Sequence, residues 1–67
     1  MEKKLALANA LCADFYLAMK DHWTAKDWNK NAELNREIKA LIADIGENPF
    51  EGMDIYEINN WKKENVK

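Results

Sequence analysis

Residues 22–28 read His-Trp-Thr-Ala-Lys-Asp-Trp (HWTAKDW), placing the only histidine beside one tryptophan and a second tryptophan five residues on. Three readings compete: a ligand site, an aromatic platform for a base, or a joint between helices. Thr24 is a favoured helix N-cap, and Asp27, three residues later, makes a shortened capping box. Trp23 then precedes the cap and Trp28 takes the fourth helical position, the two places whose side chains meet in a hydrophobic staple. Both tryptophans thereby acquire a structural role. His22 has no second histidine, cysteine or suitably spaced carboxylate pair with which to share a metal. The stretch is a joint, and it makes the fold all-α.

Outward from the joint, residues 2–20 read as the first helix. Leu5, Ala8, Cys12, Phe15 and Met19 share one stripe at about 100° per residue, with Leu7, Leu11 and Ala18 beside it. Ala6, Ala10, Ala13 and Leu17 lie away from that stripe, so this helix is apolar nearly all round and needs several neighbours. Residues 25–45 form the second helix, with Gly46 as its stop. Its apolar arc runs Leu34, Ile38, Leu41, Ile42 and Ile45, extended by Trp28. Asn31 and Asn35 interrupt the seam, which either leaves the first half of the helix in solvent or uses both asparagines for specific polar contacts. In "GENPFEGMDIYEINNW", Asn48 caps a turn begun by Pro49 and ended by Gly52. Asp54 and Glu57 then form a second cap pair flanked by Met53 and Ile58, predicting a third helix over 55–64 that buries Ile55, Ile58 and Trp61. A strand over 53–58 is the minority alternative, because Ile55 and Glu57 would share a face. A single antiparallel three-helix bundle over residues 1–67 follows.

Composition narrows function. The chain has 67 residues, 48% hydrophobic and 33% charged, with a net charge of −2. So short a domain has a marginal core of its own. The acidic balance gives no general attraction to nucleic acid or anionic membrane. Serine is absent, Cys12 is the only cysteine, and it sits on an apolar stripe where thiols are usually inert. Neither a glycine-rich phosphate loop nor a metal-ligand cluster is present, so we expect no enzyme, no cofactor and no metal. The start "MEKKLALANALCADF" carries Asn9 and Asp14 at helical spacing, unlike a secretory leader. No segment approaches the ~20 apolar residues of a membrane span. The expectation is a soluble cytoplasmic protein.

One stretch carries a family resemblance. Leu34–Gly52, LNREIKALIADIGENPFEG, resembles the helix and turn of the YoeB/Txe-type toxins, ribosome-dependent endoribonucleases of the RelE superfamily. Those toxins carry a similar helix ending in Asn-Pro-Phe-Glu-Gly, here Asn48–Gly52. The likeness covers less than a third of the chain. With spacing held, the resemblance implies that Glu57 stands where such toxins place a catalytic glutamate. The sequence departs from the family's Gly-Lys-Pro-Glu context, because Met53, Asp54, Ile55 and Tyr56 precede Glu57, and no arginine or histidine follows it. What the resemblance implies is a shared helix and turn, with a degenerate relative of these RNases as one alternative function.

The expected function is a small non-enzymatic protein-interaction module, an inhibitor or regulator of a host or partner protein of the phage or mobile-element kind. Its expected contact residues are Leu17 and the Ala6–Ala10–Ala13 strip, with Asn31 and Asn35 fixing register as a buried asparagine does in coiled coils. That strip serves either a homodimer through the first helix or a different protein partner. The alternative is a nucleic-acid-binding accessory protein using Trp61, Lys62, Lys63 and Lys67, a tryptophan with lysines around it. A core tryptophan followed by a solvated tail explains the same residues.

Overall fold

A computed structural model of the chain describes residues 2–65. They form three helices and no strand: α1 (Glu2–Ala18), α2 (Ala25–Ile45) and α3 (Ile55–Asn65). The all-α three-helix expectation holds, with α1 two residues shorter than expected. Its last turn tightens, as Lys20 N–H donates to the Leu17 carbonyl at 3.1 Å, the i→i+3 pattern common at helix ends. The same carbonyl accepts from Trp23 Nε1 at 3.0 Å, so an indole satisfies a helix-end acceptor that would otherwise need water.

The joint forms as its spacing requires. Asp27 N–H donates to Thr24 Oγ1 at 3.3 Å, and Thr24 N–H donates to the Asp27 carboxylate at 3.0 Å, completing both halves of the capping box. Trp23 and Trp28 meet edge to face, with ring centroids 4.6 Å apart. The extension of the apolar arc of α2 to Trp28 needs correction. Trp28 is 61% exposed, because its staple partner covers only one side of the indole and no third helix reaches this end of α2.

α2 ends at Gly46, whose φ of 95° lies in the left-handed region that glycine enters at little cost. Phe50 N–H then donates to Asn48 Oδ1 at 3.0 Å, and Glu51 N–H to the Asn48 carbonyl at 3.2 Å, making the turn at Pro49. Asp54 Oδ1 accepts from Glu57 N–H at 2.8 Å and caps α3.

Both later helices run antiparallel to α1. Lys3 and Asp44 approach to 3.9 Å at one end of the α1–α2 pair, while Leu17 and Trp23 are joined at the other. Along α3, Ile55 and Tyr56 lie by Phe15 and Met19, Asn59 lies by Cys12, and Trp61 lies under Lys4. α2 and α3 therefore point the same way. Residues 46–54 make this possible by carrying the chain back along α1 before α3 starts. α1 packs against both other helices, which is what its nearly all-round apolar surface demanded.

The core has two parts. Leu7, Ala8, Cys12, Phe50 and Ile58 form one cluster, joined by half-buried Leu11, Ile38, Leu41, Ile42, Ile45, Met53, Ile55 and Trp61. Ala10, Leu17 and Leu34 form the other, with Ala13, Trp23 and Ile38 against it. Leu7 is wholly enclosed, a burial worth about 1.5–3 kcal/mol. Phe50, which the sequence pattern did not mark as core, is also buried. The turn at Pro49 aims it inward, edge to face with Trp61 at 5.2 Å.

Candidate interaction surface

The expected contact strip on α1 is largely enclosed. Ala10 and Leu17 are buried against Leu34, and Ala6 and Ala13 are half-buried. This corrects the expectation of an open strip: its small side chains let α2 approach closely, so they are spent inside the chain. Asn31 is half-buried and Asn35 exposed, and neither side chain makes a hydrogen bond among the described residues. Of the two readings of the polar seam, the structure has the first: most of the first half of α2 faces solvent.

The other end of the expected stripe is open. Phe15 and Met19, placed in the core by their spacing, are 40% and 66% exposed, and Tyr16 beside them is 59% exposed. Across from them Tyr56, in the first turn of α3, is 76% exposed. Between Phe15 and Tyr56 lies a groove of about 590 Å³, lined by Leu11, Asp14, Phe15 and Ala18 of α1 and by Met53–Ile55, Tyr56 and Ile58. Positions 11, 14, 15 and 18 are one helical face, and α3 is too short to cover it. A second, smaller hollow of about 210 Å³ continues the surface over Tyr16, Met19 and Asn59. Sequence reasoning missed this site. The available signal was Tyr16, a large aromatic on neither apolar stripe of α1.

Among the described residues only two charged side chains line the groove, Asp14 and Asp54, and both are carboxylates. Neither has an ion-pair partner among the described residues. Asp54 spends one oxygen on capping α3, and the half-buried Asp14 side chain makes no hydrogen bond among the described residues.

The residues of the alternative readings lie elsewhere. Trp61 is half-buried with Phe50 against its edge and Lys4 Nζ 4.9 Å from its ring centroid, so one ring face already carries a cation. Lys62 is half-buried and Lys63 exposed, while Lys67 lies outside the described residues. Glu57 is exposed at the start of α3, with its backbone N–H on Asp54. His22 is exposed at the joint. The Cys12 thiol is buried, 3.5 Å from Asn59 Oδ1. No three His, Cys, Asp or Glu side chains among the described residues could jointly hold a metal ion, and no helix there is long and apolar enough to cross a membrane. At the joint, hydrogen bonds from the Lys20 ammonium and then from the Thr24 backbone hold the Asp27 carboxyl below its ordinary value.

Compared with protein-family models, with curated proteins and with solved structures, the chain matches none.

Proposed function

We propose that this chain is a non-enzymatic binding module that acts by covering a surface of another protein through the α1–α3 groove. A small inhibitor or regulator works in this way, and the single enclosed thiol suits a reducing compartment such as the cytoplasm. The observation that carries the reading is the grouping of Phe15, Tyr16, Met19 and Tyr56, all exposed, around the groove and the hollow that adjoins it. Scattered apolar side chains on a surface need no explanation, but a grouped set marks an interaction site. Aromatic residues and methionine are also the types enriched at protein interfaces. Tyrosine supplies a large contact area at little entropic cost, and methionine adapts its shape to the partner.

The test compares the immobilised chain with a Phe15→Ser/Tyr56→Ser variant whose helix content and melting temperature are matched to it. Proteins retained from lysate by the parent chain are expected to be lost from the variant. Equal retention by both would remove the groove reading. Oligonucleotide shifts serve as the control: a salt-sensitive shift abolished by Lys62→Ala/Lys63→Ala would move the function to the end of α3.

A further inference from the structure

We infer that the groove takes a basic amphipathic helix belonging to a different protein, with apolar side chains seated between α1 and α3 and lysine or arginine facing Asp14 and Asp54. The inference rests on the groove being the binding surface, and it specifies what binds there.

Charge selects the partner. Among the described residues every charged group lining the groove is acidic, and neither carboxylate is paired with a cation. Incoming cations would meet an unpaired carboxylate on either wall, and one of them, Asp14, is already half withdrawn from water. A second copy of this chain is disfavoured by the same charges. A two-fold contact sets a patch against itself, which would bring the acidic side chains of one copy toward those of the other. An anionic lipid surface is repelled for the same reason.

Shape selects a helix. The described residues offer no strand edge to extend, so addition of a partner strand has no template. The groove instead runs between two helices and exposes the i, i+3, i+4, i+7 face of α1 formed by Leu11, Asp14, Phe15 and Ala18. An amphipathic helix laid there would complete a fourth side of the bundle.

The probes are two labelled peptides of about 18 residues, long enough to form helix. One alternates leucine at helical spacing with lysine flanks, and the other replaces every lysine by glutamate. Fluorescence anisotropy with the full chain is expected to show the lysine peptide binding about tenfold more tightly, as two surface charge pairs would give. The preference should shrink as salt is raised. Asp14→Asn/Asp54→Asn should erase it while leaving the fold intact, since asparagine also caps a helix. Equal binding of both peptides, or a preference that survives the double variant, overturns the charge inference and leaves the groove reading standing. Binding untouched by Phe15→Ser/Tyr56→Ser overturns the groove itself. Concentration-dependent dimerisation of the chain alone, lost in that same pair of substitutions, would replace the heterologous helix by a second copy.

Discussion

The two flanks of α1 are built from side chains of different size, and the flank with the smaller ones is the closed one. Ala10, Ala13 and Leu17 meet Leu34 and Ile38 of α2. Leu11, Phe15 and Ala18, one position further round, line the open groove. Adjacent residues on a helix point about 100° apart, so two stripes offset by one residue face different neighbours. Alanine lets a helix backbone come near, and α2 is long enough to cover the whole stripe. Phenylalanine, tyrosine and methionine hold a neighbour off, and α3 reaches only part of their length. The difference shows that apolar content alone does not rank the faces of this helix. Side-chain volume and the length of the facing helix do.

The largest expected effect contrasts the flanks directly. Leu17→Ala should cost about 2–5 kcal/mol, as for other enclosed leucines, most of the stability a domain of this size possesses. Met19→Ala, two residues on but exposed, should stay within about 0.5 kcal/mol. Enlarging the closed flank should also hurt, Ala10→Leu costing about 1–3 kcal/mol through overpacking. Leu17→Glu should not fold, because its carboxylate would be enclosed without a partner. Urea denaturation measures the first three, and far-ultraviolet circular dichroism reads the missing helix of Leu17→Glu. Similar costs for Leu17→Ala and Met19→Ala would mean that the flanks have been assigned the wrong way round.

This contrast also marks how far the sequence could be read. Thr24, Asp27, Gly46, Asn48 and Asp54 act on neighbours within four residues, so spacing along the chain was enough to place the three helices and their ends. α1 posed a different problem. Apolar nearly all round, it gave no polar face to orient it, and the stripe ending in Phe15 and Met19 looked as good a core as the one ending in Leu17. What separates them is tertiary: residues 46–54 run back along α1, and the short α3 leaves its own first turn beside an uncovered face. No local pattern encodes that path. Phe50 was missed for the same reason, since its burial depends on where the turn at Pro49 lies against Lys4 and Trp61.

A smaller effect separates the two tryptophans of the joint. Trp23 donates to the last turn of α1 and packs beside Leu17, whereas Trp28 only laps over Trp23. Trp23→Phe keeps most of the packing and removes the hydrogen bond, an expected loss of about 1 kcal/mol. Trp28→Ala should lose the aromatic pair, about 0.5–1.5 kcal/mol, well below the cost of an enclosed tryptophan. Thermal melting of both variants, with near-ultraviolet circular dichroism reporting the ring pair, checks the assignment. A loss above about 3 kcal/mol for Trp28→Ala would show the closed flank to extend past the joint.

The smallest effect is a dependence on pH, and it too belongs to the closed side. Lys20 Nζ lies 2.9 and 2.8 Å from the two oxygens of Asp27, and the Thr24 backbone N–H donates to one of them at 3.0 Å. These bonds favour the ionised carboxylate, so its folded value falls below the ordinary 3.8. Where the folded value is the lower one, the unfolded chain takes up its proton first as acid is added. The stabilisation is therefore complete above the unfolded value and drains away as pH falls through 3.8 toward the folded value. Asp27→Asn should lower the urea midpoint at neutral pH and flatten its decline across that acid window. Lys20→Met should do part of the same, because the Thr24 half of the box survives. Added salt should weaken the Lys20 share more than the Thr24 share, since the ammonium is exposed and its attraction is screened. An acid slope unchanged in Asp27→Asn would mean that the joint is held by its tryptophans alone, with the box adding geometry but no charge-dependent stability.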